Sequence, residues 1–234
     1  MSGLQTKITI LSNLTTFEMG SNIVRRVRKE EKAVKAFLFL YPIKVYVHAV
    51  VYPALTPESK QFLTKVMHRR YRANGFRVYW LAFSKDQNRD VPDRKQIEDG
   101  LFSVEPEDQV LNAGITLAEL INGQYADPRH IGNQLSDNTT KIVIGGFHQW
   151  DCVDKMAAYF WSAGLETIVD EDLTDVGLGR FLSIGRNKSS CRLLSPNELM
   201  EFELDRQETD IGMSNSLLEA ARLARAEKPW FFQP

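Results

Sequence analysis

The sequence predicts an α/β fold: a doubly wound, mostly parallel sheet with helices on both faces, in three layers. Two observations carry that expectation. Strand-like segments alternate with amphipathic helices twice, over residues 43–83 and again over 141–169, with short joints between them. The 234 residues are 43% hydrophobic and 25% charged, an ordinary globular balance with enough chain to bury one large core. One α/β domain over 1–234 is therefore expected, with an N-terminal extension over 1–42, the core sheet over 43–185 and a C-terminal helical extension over 186–234.

The first repeat is the clearest. Residues 56–74 start with Thr56 as a cap and Pro57 at the first helical position, and Gly75 can stop the helix in a left-handed conformation. Phe62, Leu63, Val66, Met67 and Tyr71 form one apolar stripe along it. The flanking segments 43–52 and 76–83, rich in Val and Tyr, read as parallel strands on either side. The second repeat reads as a strand over 141–147, a helix over 151–163 stopped by Gly164, and a strand over 165–169. Between the repeats, residues 86–138 are polar and loop-rich, with short helices near 115–122 and 128–135. An irregular insert of that length is either functional or conceals a further element.

The ends are less patterned. A short strand is predicted at 7–11. The basic segment containing Arg25, Arg26, Arg28, Lys29, Lys32 and Lys35 is interrupted by Glu30 and Glu31, and reads as a solvated helix face rather than a phosphate-binding patch. Helix starts are expected near 195–198 and over 214–227, the latter with Leu217, Leu218, Ala221 and Leu223 facing inward. The apolar tail Trp230, Phe231 and Phe232 must pack either onto the body or onto a second copy, which makes a homo-oligomer through the C-terminal helix one of two readings.

Composition excludes several function classes. A formal net charge of -1 provides no global field to gather nucleic acid or an anionic membrane. No apolar run approaches the roughly 18 to 20 residues of a membrane span, because Lys35, Pro42, Lys44 and His48 break the longest one. The first residues show no signal-peptide pattern, so a cytoplasmic location is expected. Cys152 and Cys191 lack metal-ligand spacing and are expected to be free thiols. Gly177 and Gly179 lack the third glycine of a dinucleotide fingerprint. No nucleic acid, membrane or cofactor is called for, and a small-molecule ligand is the compatible partner.

In open α/β sheets, ligands bind beyond the carboxyl ends of the strands where strand order reverses. The segments expected there follow Tyr52, include Ser84 to Asp90, run from Gly145 to Cys152, and include Asp170 to Asp175. In the third, Asp151 is expected to cap a helix and place Cys152 in its first turn. The partial positive charge of a helix start favours a thiolate, so Cys152 is a candidate nucleophile. His148 is a candidate acid or base. Gly145, Gly146, Phe147, Trp150 and Asp170 are candidate substrate contacts. An inert Cys152, packed on one stripe with Val153, Met156, Ala157 and Phe160, is the competing reading, and His148 can equally be a structural hydrogen-bonder. The carboxylates of Asp170, Glu171, Asp172 and Asp175 could hold Mg²⁺ together with a matching one from Asp86 or Asp90, or Asp172 or Thr174 could cap a helix starting near Leu173.

The strand into Gly145-Gly146, then His148, Cys152-Val153, Ala157 and Gly164, resembles the nucleophile segment of the isochorismatase-like cysteine hydrolases, which include nicotinamidases. The resemblance covers about 141–169. It implies a thioester-forming cysteine at Cys152, assisted by an aspartate ending the first central strand and a lysine before the cysteine strand. Residues 43–52 contain no carboxylate, and Lys141 starts its strand, so neither partner is found. Asp86, with Lys85 or Asp90, is the candidate substitute. Three functions follow: a hydrolase of a small amide, ester or vinyl ether acting through Cys152, a non-catalytic binding or assembly module of the same fold, and a Mg²⁺-dependent phosphoesterase using the 170–175 acidic cluster.

Overall fold

A computed structural model describes residues 14–20, 23–28, 32–44, 46, 57–98, 102–175, 178 and 227–231. The chain divides into two units, residues 1–33 and 34–234. The first contains an antiparallel hairpin of β1 (Leu14–Gly20) and β2 (Ile23–Arg28). Arg25, Arg26 and Arg28 thus lie on a strand and not on the expected helix face. The strand expected at 7–11 lies outside the described residues.

The second unit is built on a five-stranded parallel sheet. Its strands are β3 (Val34–Leu40), β4 (Phe76–Ala82), β7 (Gln109–Asn112), β8 (Thr139–Gly146) and β9 (Glu166–Thr174). Their order is β7-β4-β3-β8-β9. The chain runs outward from β3 through β4 to β7, then returns to β8 and β9, so strand order reverses between β3 and β8. This is the doubly wound arrangement that the two repeats predict.

The first central strand is not where the sequence pattern places it. It is β3, whereas Ile43 is in a loop and Lys44 and Tyr46 have helical backbone; residues 45 and 47–56 lie outside the described residues. A central parallel strand is buried on both faces and reads as an unbroken apolar run. Residues 36–40, Ala-Phe-Leu-Phe-Leu, satisfy this and are all 0% exposed. The alternating 43–52 segment suits a half-buried strand instead. Tyr41, at φ 54, and Pro42 end β3. Lys35, which the charge pattern places on a basic helix face, is an exposed residue of β3.

Alternation along β3 divides the core into two layers. Phe37 and Phe39 face one side, where helix α1 (Pro57–Val66) buries Leu63 and Val66. The helix continues through a π turn, Met67–Tyr71, and a 3-10 turn, Arg72–Asn74, until Gly75 stops it at φ 76. Met67 and Tyr71 extend the buried stripe. Ala36, Leu38 and Leu40 face the other side, against Met156, Ala157 and Phe160 of α5 (Asp154–Ser162).

The insert contains more order than its composition suggests. It opens with β6 (Asn88–Pro92), which forms a hairpin with β5 (Ser84–Lys85) just before it, and continues with α2 (Arg94–Glu98) and β7. Helices α3 (Leu117–Ile121) and α4 (Pro128–Gly132) then follow as expected. Thr116 and Glu119 cap α3 reciprocally, and Asp127 with Pro128 starts α4. The concealed element is β7, a four-residue edge strand too short to show a period.

β9 also runs further than expected. Asp170 to Thr174 stay in the strand, although the register jumps: Ile144 pairs with Val169, and Gly146 with Thr174. Leu173 is a fully buried strand residue, so Asp172 and Thr174 cap no helix there. At the C-terminus, Trp230 and Phe231 pack onto the body. The Val169 N–H donates to the Trp230 carbonyl at 2.8 Å, and the Trp230 indole N–H donates to Asp154 at 3.0 Å. Phe232 and the helices expected near 195–198 and over 214–227 lie outside the described residues, apart from Glu227 in a turn. No helix among the described residues is long and apolar enough to cross a membrane.

Candidate functional site

The reversal of strand order brings the carboxyl end of β3 against that of β8, and glycine makes the approach close. Gly146 adopts φ +117, and a Cβ there would lie 2.3 Å from the Leu40 carbonyl oxygen. The Phe147 N–H donates to that same oxygen at 3.2 Å. The Phe147–His148 peptide is cis. A π turn, Gln149–Val153, then leads into α5. Asp151 is therefore inside the turn and does not cap a helix. His148 takes the capping position, its carbonyl accepting from the N–H groups of Asp151 and Val153 at 3.1 Å each. The Gln149 N–H is satisfied from β9's end, donating to Asp175 at 2.7 Å.

Cys152 sits in this turn, 8% exposed, within the core layer that includes Tyr41, Val153 and Met156. Burial first, and then the Asp151 carboxylate, push its thiol up to about 11. Lys155 and the His148 backbone act in the opposite direction but do not prevail. The Lys155 ammonium lies 2.6 Å from Asp151, which screens its charge from the sulfur. The thiolate favoured by a helix start is thus not what this environment supports: burial and two carboxylates, Asp151 and Asp175, outweigh the local donors.

The residue that ends β3 is Tyr41, which is 1% exposed and stacks on Phe83 at 4.3 Å. Tyr46 lies edge-on to the His148 ring at 5.0 Å. Burial, followed by the neighbouring Cys152, raises the pKa of both phenols, so each hydroxyl stays neutral. The His148 Nδ1 is 3.7 Å from Asp175, and attraction to that carboxylate raises the imidazole's pKa despite partial burial. This end of the sheet therefore gathers two neutral phenols, a neutral thiol and an imidazole paired with a carboxylate, with Tyr41 and Cys152 buried and Tyr46 and His148 reaching solvent. It presents hydrogen-bond donors without a charged nucleophile.

Of the residues expected to converge, Gly146, His148 and Cys152 share this segment. Phe147 is 1% exposed and turns into the opposite core layer. Gly145 faces Leu173, whose Cβ would be 3.2 Å from a Cβ added there. Trp150 is 40% exposed and lies against Phe231, with ring centres 5.1 Å apart. Asp86 is exposed at the turn of the β5–β6 hairpin with Lys85 and Asp90 nearby, and it is not among the charged groups acting most strongly on Cys152. Lys141 pairs with Glu166 at the opposite end of β8. Sequence reasoning missed Tyr41 and Tyr46; the Tyr-Pro pair directly after the apolar run of β3 was the available signal.

Asp170 belongs to the other face of the sheet. Arg70 Nη1 donates to both of its carboxylate oxygens, at 3.0 and 2.8 Å, and Nη2 donates to Asp172 at 3.0 Å. The Tyr71 hydroxyl also donates to Asp170. Burial disfavours the Arg70 charge, but Asp170, Tyr71 and Asp172 together outweigh it and raise the guanidinium's pKa. A fixed organic cation occupies the place that the acidic cluster offered to Mg²⁺. Among the described residues no group of three or more His, Cys, Asp or Glu side chains could hold a metal ion.

No family model matches the chain, and no curated protein matches it. Solved structures similar to it include three at 12% sequence identity. The pyrazinamidase of Pyrococcus horikoshii in complex with zinc is matched over 65% of this chain and 94% of its own, with a TM-score of 0.38. A cysteine hydrolase from Pseudomonas syringae pv. phaseolicola 1448A is matched over 66% and 88%, with a TM-score of 0.35. A putative MAR1 ribonuclease from Leishmania major is matched over 85% and 94%, with a TM-score of 0.38. The α/β architecture of this chain stands on its own strand order and register: five parallel strands with helices on both faces.

Proposed function

We propose that this chain is a binding or assembly module on a hydrolase-like α/β sheet, taking a small-molecule ligand at the rim formed by Tyr46 and His148. The observation that carries this reading is the state of Cys152: buried, flanked by carboxylates and phenols, and neutral at physiological pH. The position that the cysteine-hydrolase resemblance assigns to an aspartate is held by Tyr41, whose hydroxyl cannot serve as a base near neutral pH.

Alkylation by iodoacetamide tests it, in a Cys191→Ser background that leaves Cys152 as the one thiol. Lifting a thiol from the ordinary 9.0 to about 11 lowers the thiolate fraction at neutral pH about a hundredfold. The expected rate is lower than that of the urea-unfolded chain by at least that factor, and still rises at pH 10. A rate that levels off below pH 8 means a preformed thiolate and overturns the reading.

A second reading is favoured by one observation, the 3.7 Å approach of His148 Nδ1 to Asp175. In it, Cys152 attacks a small amide, ester or vinyl ether, and Asp175 orients His148 to assist. Its expected result is a stable mass increase on Cys152 after exposure to an activated ester, lost in His148→Ala. Intact mass spectrometry showing no adduct removes it.

A further inference from the structure

The end of the sheet opposite Cys152 contains a cavity of about 670 Å³. It exists because β7 is short. Phe76, Arg77 and Val78 pair with β3 on one side, but β7 pairs with β4 only from Tyr79 onward. The amino end of β4 is thus left one strand short on its β7 side. The register aligns Phe76 with Lys35, and Lys35 with Lys141 at the start of β8, so the cavity lies at the amino ends of the strands.

One wall is the outer face of α1 and its continuation. Lys65, His68 and Arg69, spaced three and four residues apart, share that face and are exposed. Among the described residues, no hydrogen bond or ion pair engages their side chains. Arg72, further along the same face, is already used: its Nε donates to Asp108 at 3.1 Å. Ala73, Phe76 and Val78 supply an apolar surface, and Glu105 and Glu107 stand on the remaining wall.

We propose that this cavity binds a small organic molecule with an apolar body and a single anionic group. Phe76 and Ala73 take the body, and Lys65, His68 and Arg69 take the anion. Charge arrangement selects the ligand class. A nucleic acid would bring successive phosphates past Glu105 and Glu107, which repel them, whereas a compact monoanion faces the cationic wall alone. This site is separate from the rim at Cys152.

Two matched fluorescent probes test the proposal on the full chain: 8-anilinonaphthalene-1-sulfonate and the uncharged N-phenyl-1-naphthylamine, which lacks the sulfonate. The expected result is saturable sulfonate-probe binding at one site, weakened about tenfold or more by Lys65→Glu with Arg69→Glu. The uncharged probe keeps its affinity within about twofold in that variant, because only the anion contact is lost. Ala73→Trp puts an indole where the apolar body would lie and weakens binding of both about tenfold or more, and Cys152→Ala leaves both unchanged. Should the double charge reversal fail to fold, Arg69→Gln keeps the test open with a smaller loss in the same direction. Sulfonate-probe binding that survives both the charge reversal and Ala73→Trp, or that is lost in Cys152→Ala, overturns the assignment.

Discussion

Replacing Arg70 with methionine should be among the most destabilising single changes to a side chain in this molecule. Arg70 spans the layer between the π turn that continues α1 and strand β9, contacting Asp170 with one guanidinium nitrogen and Asp172 with the other. The three side chains are 8%, 0% and 1% exposed, so water cannot take over the charge stabilisation. Removing the cation leaves two buried carboxylates on one strand segment, with the Tyr71 hydroxyl still serving Asp170. Breaking a buried pair in this way costs about 3–5 kcal/mol. In a chain of this size each kcal/mol lowers the melting temperature by about 2–4 °C, so the expected fall is roughly 6–20 °C. Calorimetry of the wild type, Arg70→Met and Arg70→Met with Asp170→Asn measures it. The double variant should recover about 1–2 kcal/mol, because one stranded charge is gone while the amide oxygen that replaces the carboxylate still accepts from Tyr71. An Arg70→Met protein that melts within about 2 °C of the wild type would show that the three groups are solvated, and this account of the layer would fall.

Three other perturbations follow from the same geometry. Gly146→Ala puts a methyl 2.3 Å from the Leu40 carbonyl oxygen and 2.5 Å from its nitrogen. Both are backbone atoms that cannot yield, so a loss of at least about 3 kcal/mol or of soluble protein is expected; a wild-type urea midpoint would contradict the β3–β8 register. Phe231→Ala removes a side chain that is 5% exposed, costing about 2–4 kcal/mol, and should shift tryptophan emission to the red as Trp150 loses its cover. An unchanged midpoint and spectrum would place the tail elsewhere. His148 has a folded pKa raised above 6.5 by Asp175, so this pair stabilises fully below about pH 6.5 and the contribution fades as pH rises through the raised value. The melting-temperature advantage of wild type over His148→Gln should therefore shrink between pH 6 and pH 8. The pair is half exposed, so the change is on the order of a few tenths of a kcal/mol, and an advantage that grows with pH would exclude the pairing.

Periodic and capped elements were legible in the chain alone. The stripe from Phe62 to Tyr71 located the long helix, Gly75 and Gly164 marked helix stops, and the order of elements implied a doubly wound sheet. Those signals are local: apolar spacing and backbone freedom act over a few residues. The strand at Val34–Leu40 escapes the pattern because a run buried on both faces has no alternation to reveal it, while the neighbouring 43–52 segment alternates persuasively. The four residues of β7 are too few to announce any period at all.

Spacing along the chain already marked the residues that carry chemistry near the strand ends: Cys152, His148, and the acids from Asp170 to Asp175. Their ionisation and their partners were settled by the fold. Asp170 and Asp172 meet Arg70, about a hundred residues earlier in the chain, and Cys152 meets Tyr41, burial and two carboxylates that outweigh the nearby Lys155 cation. A pKa follows from burial and from charges within a few ångströms, and neither quantity is a property of the order in which residues are joined.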